Sequence, residues 1–205
     1  MRHATEIFSE WALSGKDEGM EKNHAKAVDI MLRDLTGEIE TPFSFIDAGC
    51  GNGWVVRKMQ AHPFCTYATG IDGAEDMIRK ANANDPNGDY IYADLLKWSP
   101  EEKVDFIHSM EVLYYFENPG KLINHMKSNW LKPNGKMIMG VDFYQEHERS
   151  HSWPMDLGTP MTLLNENEWK LLFNENGFSS VESYRANANG DFPGTLIVSG
   201  LLNSE

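Results

Sequence analysis

Five short apolar runs, spaced by helical stretches, limit this chain to few folds. They are Phe43–Ile46, Thr66–Ile71, Tyr90–Ala93, Val104–His108 and Lys136–Val141. Three of them lead into an acid, at Asp47, Asp72 and Asp94. Residues 74–84 read as a helix with Glu75 and Asp76 in its first turn, where acids suit the positive end of the dipole. Residues 119–131 read as another, with Asn118 as N-cap and Pro119 at the first helical position. Strand and helix in turn predict an α/β fold, a parallel sheet with helices on both faces.

The flanks carry different patterns. Residues 4–36 are helical, with Ile7, Phe8, Trp11 and Ala12 a turn apart and a break at Gly15. Met20, His24, Ala27, Val28, Met31, Leu32 and Leu35 form a second helical stripe, closed by Gly37 and Pro42. Residues 142–164 are polar, aromatic and interrupted by proline, with no clean period. Asn165 to Glu168 reads as a capping box ahead of Trp169, Leu172 and Phe173. Phe178–Tyr184 and Thr195–Ser199 read as closing strands. With no repeat and no linker, one domain is expected. Its parts are a helical cap at 1–40, a core at 43–142, a variable segment at 143–164 and closing elements at 165–205.

Composition narrows the partners. There are 18 Lys and Arg against 31 Asp and Glu, a net charge of −13. Proteins that grip phosphate backbones carry a basic face, so a nucleic-acid partner is not expected. At 41% hydrophobic the chain can bury a core. No apolar run approaches the roughly 18 residues that span a bilayer. Residues 1–10 show no secretory h-region, and two cysteines, Cys50 and Cys65, make no disulfide framework. The expectation is a cytoplasmic protein, monomer or homodimer, acting on a small molecule.

The most specific stretch is Phe45-Ile46-Asp47-Ala48-Gly49-Cys50-Gly51-Asn52-Gly53-Trp54, joining a strand to a helix. Glycines there let backbone approach a ligand, and the helix start offers free N–H groups. A dinucleotide fingerprint wants Gly-x-Gly-x-x-Gly or Ala, and Trp54 fills that last position here. Asp72, ending the second run, is placed to accept from two ribose hydroxyls; Asp94, ending the third, is placed to meet an adenine amino group.

These residues resemble the class I S-adenosylmethionine-dependent methyltransferases. The matching motifs are FIDAGCGNG, GIDGAEDMIRKA, YIYADL and VDFIHSMEVLYYFENPGKLINHMKSNWLKPNGKMIMG, in family order across residues 43–142. The resemblance implies a Rossmann-like, doubly wound, seven-stranded sheet with an antiparallel last strand. It implies S-adenosyl-L-methionine as cofactor and S-adenosyl-L-homocysteine as product. By position it places Asp47, Gly49, Cys50, Gly51 and Gly53 around the methionine portion. It places Asp72, Gly73 and Met77 at the ribose and adenine, and Ala93, Asp94 and Leu95 along the adenine slot. Ser109, Met110 and Glu111 would lie under the sulfonium. Trp11 to His24, including Met20, is expected to fold over the cofactor as a lid. Candidates for a base are His24, Glu111, Tyr115 and His151. Tyr114, Tyr115, Phe143, Tyr144 and Trp153 are expected to rim the acceptor site.

Other readings are weaker. His147-Glu148-Arg149-Ser150-His151 spells a zinc-helix motif, but Pro154 stops a helix and no third ligand has a matching spacing. A solvated, histidine-bearing loop is expected there, and no metal. The fourth run carries Ser109-Met110-Glu111-Val112 in place of the Asn/Asp-Pro-Pro-Tyr/Phe of amino-methylating nucleic-acid enzymes. A cofactor-binding regulator without turnover and a nicotinamide-dependent oxidoreductase remain as alternatives.

Overall fold

The computed structural model describes residues 1–37 and 39–204. Glu38 and Glu205, parts of the expected cap and closing segment, lie outside the described residues. The strands are β1 (Phe43–Ala48), β2 (Cys65–Asp72), β3 (Asp89–Tyr92), β4 (Val104–Met110), β5 (Leu131–Val141), β6 (Ser179–Ala186) and β7 (Thr195–Leu201). They form one sheet in the order β3-β2-β1-β4-β5-β7-β6. β1 to β5 pair in parallel, and β7 runs antiparallel to both β5 and β6. The chain lays β2 and β3 on one side of β1, then crosses to lay β4 on the other. Such a reversal opens a crevice beyond the carboxyl ends of the central strands.

The helices are α1 (Ala4–Ser14), α2 (Asp17–Thr36), α3 (Trp54–Gln60), α4 (Glu75–Asn84), α5 (Pro119–Asn129), α6 (Trp153–Leu157) and α7 (Glu166–Glu175). Successive strand residues point to opposite faces, and two cores result. Ile46 and Ile107 face Leu122, Met126 and Trp130 of the α5 region and Trp169 and Phe173 of α7. Phe45 and Phe106 face Val28 and Met31 of α2, Val55 and Met59 of α3, and Ile78 of α4. Fully burying one such apolar side chain contributes about 1.5–3 kcal/mol. Trp130 keeps its indole N–H bonded to the Trp98 carbonyl at 2.8 Å. Local chemistry sets the ends: Asn118 accepts the Lys121 N–H, and Asn165 with Glu168 closes a full capping box.

Two expectations change. Helix α5 ends at Asn129, and β5 begins at Leu131 rather than Lys136. The Lys132–Gly135 turn becomes an irregular strand start, with left-handed Asn134 donating to the Leu202 carbonyl. The segment after β5 is solvated only in part: Gln145, Glu146, Glu148 and Arg149 are exposed. Phe143, Tyr144, His147 and Ser150 are buried, with the Tyr144 hydroxyl on the Gly194 carbonyl and Arg185 over its ring at 4.2 Å. Among the described residues, no helix is long and apolar enough to cross a membrane.

Candidate active site

The glycine loop leaves β1 with a sharp reversal. Gly49 has φ +78°, and a Cβ there would land inside the Val112 side chain, so both the dihedral and the space require glycine. Gly51 has φ +52° with only the Met77 sulfur, at 3.9 Å, near a hypothetical Cβ. Asp72 ties the loop to the end of β2. One carboxylate oxygen accepts the Gly51 N–H at 2.8 Å and the other accepts the Ala74 N–H at 2.7 Å. Burial pushes the Asp72 carboxyl up to about 6, against these same N–H groups, which pull it down.

A cavity of about 780 Å³ opens beside this pair. Of the residues anticipated for the cofactor, Gly49, Gly51, Asp72, Gly73, Met77, Ala93, Asp94, Leu95 and Met20 line it. Asp94 is already engaged there: its carboxylate accepts the Leu96 N–H and meets Lys97 at 3.0 Å, which holds it below the usual carboxylate range. The remaining anticipated residues are not in the lining. Asp47 is buried with its carboxylate 2.7 Å from His108 Nδ1, while Ser109 donates to the Ala48 carbonyl. Cys50 is buried in the loop with its thiol pushed well up by burial, and Met110 packs near Gly140. Gly53 lies against the Tyr90 ring.

The roof is α1 rather than the Trp11–His24 stretch. His3, Ala4, Thr5 and Phe8 line the cavity, and Met20 alone joins them from α2. Trp11 sits edge-on to Phe8, with centroids 5.4 Å apart, outside the lining. A Cβ on Gly73 would stand 2.8 Å from Thr5, so α1 rests closely on that glycine. Sequence reasoning missed the first turn of α1; its signal was Phe8 on the apolar stripe.

The acceptor side differs from the expected aromatic rim. Tyr114, Phe143 and Tyr144 are core residues, and Trp153 stacks on Phe143. Tyr115 and Phe116 line the cavity, and Tyr115 meets Phe8 edge-on at 5.3 Å. Of the four candidate bases, Glu111 and Tyr115 line the cavity. His151 is outside it, 3.1 Å from the Gln145 carbonyl, and His147 contacts the Asp142 carbonyl. These two histidines flank a single helical turn at 148–150 and share no zinc-binding helix face.

His24 lies behind Glu111. Its Nε2 is 3.4 Å from an Asp142 carboxylate oxygen. Burial lowers its pKa, but Asp142 and Glu111 outweigh that and leave it raised. Glu111 sits just past β4 with φ +60°, a strained conformation for a non-glycine residue. Its carboxylate accepts the Asp142 N–H and, at 2.8 Å, the Tyr114 hydroxyl. Burial, then the Asp142 charge, pushes the Glu111 carboxyl upward. Asp142 went unnoticed in the sequence, although it follows the fifth apolar run as Asp47 and Asp72 follow the first two.

Residues 20–183 match a family described as a methyltransferase domain. The chain is 29% identical over 160 residues to malonyl-[acyl-carrier protein] O-methyltransferase of Halalkalibacterium halodurans, covering 70% of this chain and 57% of that protein. It therefore spans about half the length of that curated relative. Among solved structures, the methyltransferase bound to the Trm112 methyltransferase activator of Haloferax volcanii superposes with a TM-score of 0.86 at 23% identity, covering 100% of both chains. The N-methyltransferase NodS of Bradyrhizobium japonicum, in complex with S-adenosyl-L-homocysteine, superposes with a TM-score of 0.66 at 21% identity, covering 86% of this chain and 85% of that one.

Proposed function

We propose, since this chain belongs to the methyltransferase domain family, that it transfers a methyl group from S-adenosylmethionine to a small-molecule acceptor held in the cavity under α1. One observation carries the reading. Asp72 has each oxygen committed to one backbone N–H and stands on the cavity wall beside Gly49 and Gly51. Each oxygen keeps further lone-pair capacity, which suits the two neighbouring hydroxyls of a ribose. The room at Gly51 suits the cofactor's passage across the loop. When bound, the cofactor supplies a methyl group already activated by its sulfonium.

The chain's own contribution is positioning and exclusion. Asp72 and the loop hold one end, and Phe8, with the first turn of α1, keeps water out. Asp72, Asp94 and Glu117 give the cavity a negative wall that favours a cationic cofactor. We assign acceptor contact to Glu111 and Tyr115, and none to His151. The halodurans relative is named for an O-methyl transfer, which supports an oxygen as the accepting atom. The charge of −13 supports a partner other than nucleic acid, and two free cysteines support a cytoplasmic setting. We read residues 1–205 as one domain.

Calorimetry tests this. Asp72→Ala removes two charge-assisted hydrogen bonds of about 1.5–3 kcal/mol each, so affinity for S-adenosylhomocysteine should fall by about 100-fold or more. Unchanged affinity would overturn the site. Tight binding of NADH with none of S-adenosylmethionine would favour the oxidoreductase, and cofactor binding without transfer to any acceptor would favour a regulator.

A further inference from the structure

We propose that His24, Glu111 and Asp142 form a binding site for a first-row divalent cation, of the manganese or zinc kind, at the acceptor end of the cavity. The proposal goes beyond the cofactor reading, and the cation site itself does not depend on it. One ligand atom from each of the three residues lies within 4.8 Å of the other two. Ligands about 2.0–2.2 Å from a shared ion stand roughly 3–4 Å apart. His24 Nε2 and the nearest Asp142 oxygen are already at 3.4 Å. That is longer than the roughly 2.7–2.9 Å of a charge-assisted hydrogen bond. The two groups face each other without closing on one another.

A second observation points to a missing partner. Asp142 is 8% exposed, and its Oδ1 has no hydrogen-bond partner among the described residues. Buried carboxylate oxygens are expensive to leave unmatched. A proton shared between His24 and Asp142 supplies a single N–H to one oxygen and leaves Oδ1 as it is. A divalent ion matches the charge of both carboxylates and can bind Asp142 through both oxygens, taking up Oδ1 as well as the Oδ2 that faces His24. One imidazole with two carboxylates is a donor set suited to Mn²⁺, Fe²⁺ or Zn²⁺.

The surroundings hold the ligands in place. Tyr114 and the Asp142 N–H fix the Glu111 carboxylate. Outer hydrogen bonds of this kind orient metal ligands. Glu111 and Met20 both line the cavity, so coordination positions left by the protein would face it. If the cofactor reading is right, the acceptor is then an oxygen-bearing molecule, drawn to the cation by a hydroxyl or carboxylate.

The test uses the full chain, stripped with chelator and titrated with Mn²⁺ under electron paramagnetic resonance, without cofactor. One Mn²⁺ should bind per chain, and His24→Ala and Asp142→Asn should each weaken it by about tenfold or more. Loss of Mn²⁺ affinity with S-adenosylhomocysteine affinity retained supports the site and leaves the cofactor reading intact. Failure of wild type to bind either Mn²⁺ or Zn²⁺ stoichiometrically at about 100 times the chain concentration overturns the site. So does binding that neither substitution weakens. Where a variant does not fold, Co²⁺ added to wild type decides. Visible bands that vanish on adding Zn²⁺ uphold the site, and their absence overturns it.

Discussion

The two ends of the cavity are built on opposite plans. At the loop end, the glycine turn after β1 meets the end of β2. Gly49 and Gly51 hold left-handed dihedrals, and both oxygens of Asp72 are bound to main-chain N–H groups. At the other end, His24, Glu111 and Asp142 come from α2 and from the ends of β4 and β5. There a glutamate bears the left-handed strain, and a buried oxygen has no partner among the described residues. A ligand that never changes can be met by a backbone-defined, self-satisfied site. A ligand that differs between relatives is met by side chains that leave polar capacity open.

Substituting Gly49 should break the loop end outright. In Gly49→Val, a β-branched residue must adopt φ +78° and enter the space of Val112. Backbone strain of about 1–3 kcal/mol adds to overpacking of about 1–3 kcal/mol, so urea unfolding should show a loss of several kcal/mol. Cofactor binding should be lost with it. A variant as stable as wild type would show that the loop is not pinned by this contact.

Asp72 gives the loop end a pH signature. Its carboxyl sits at about 6, above the ordinary 3.8, because it is buried. As pH falls through 6 the group takes up a proton and stops acting as a two-oxygen acceptor. Affinity for S-adenosylmethionine should therefore be highest above pH 7 and fall by up to about tenfold per pH unit below 6. Calorimetry between pH 5 and 8 reads this directly. A flat wild-type profile would remove Asp72 from the cofactor contact, while Asp72→Asn should bind weakly and lack the slope.

The contrast also explains what could be read from the sequence. The loop end is made of two short local motifs, the glycine turn after β1 and the acid that ends β2, so Gly49, Gly51 and Asp72 were legible as a pattern. The parallel sheet followed from the alternation of strand and helix, and its seven strands with an antiparallel last one followed from the family resemblance. The acceptor end joins positions 24, 111 and 142, and no spacing rule links them. Glu111 and His24 could be named singly, but their meeting with Asp142 depends on how α2 crosses the strand ends. Composition misled at residues 143–150. Tyr144 and His147 look polar, yet the Gly194 and Asp142 carbonyls satisfy them, and they bury.

The roof belongs to both ends and separates them less sharply. Phe8 lines the cavity and touches Trp11 and Tyr115 edge-on. Aromatic pairs contribute about 0.5–1.5 kcal/mol each, so Phe8→Ala should weaken binding of cofactor and acceptor alike by about three- to tenfold. Paired calorimetry and KM measurements check this. A loss confined to one ligand would place the roof over that end alone.

The smallest effect is expected at Tyr115, and it bears on how the acceptor end works. Burial, together with the Glu111 charge, pushes the Tyr115 phenol well above its ordinary range, although a bond with Tyr114 opposes the shift. A phenol held neutral throughout the working pH range does not collect a proton from an acceptor. Its ring still shapes the cavity against Phe8. Tyr115→Phe keeps the ring and removes only the hydroxyl, so kcat should stay within about threefold of wild type, the scale of one neutral hydrogen bond. The pH profile should keep its shape. A fall of 100-fold, or a new inflection in the profile, would make the hydroxyl a chemical participant. The acceptor end would then rest on a phenol at the cavity wall rather than on the three groups gathered behind it.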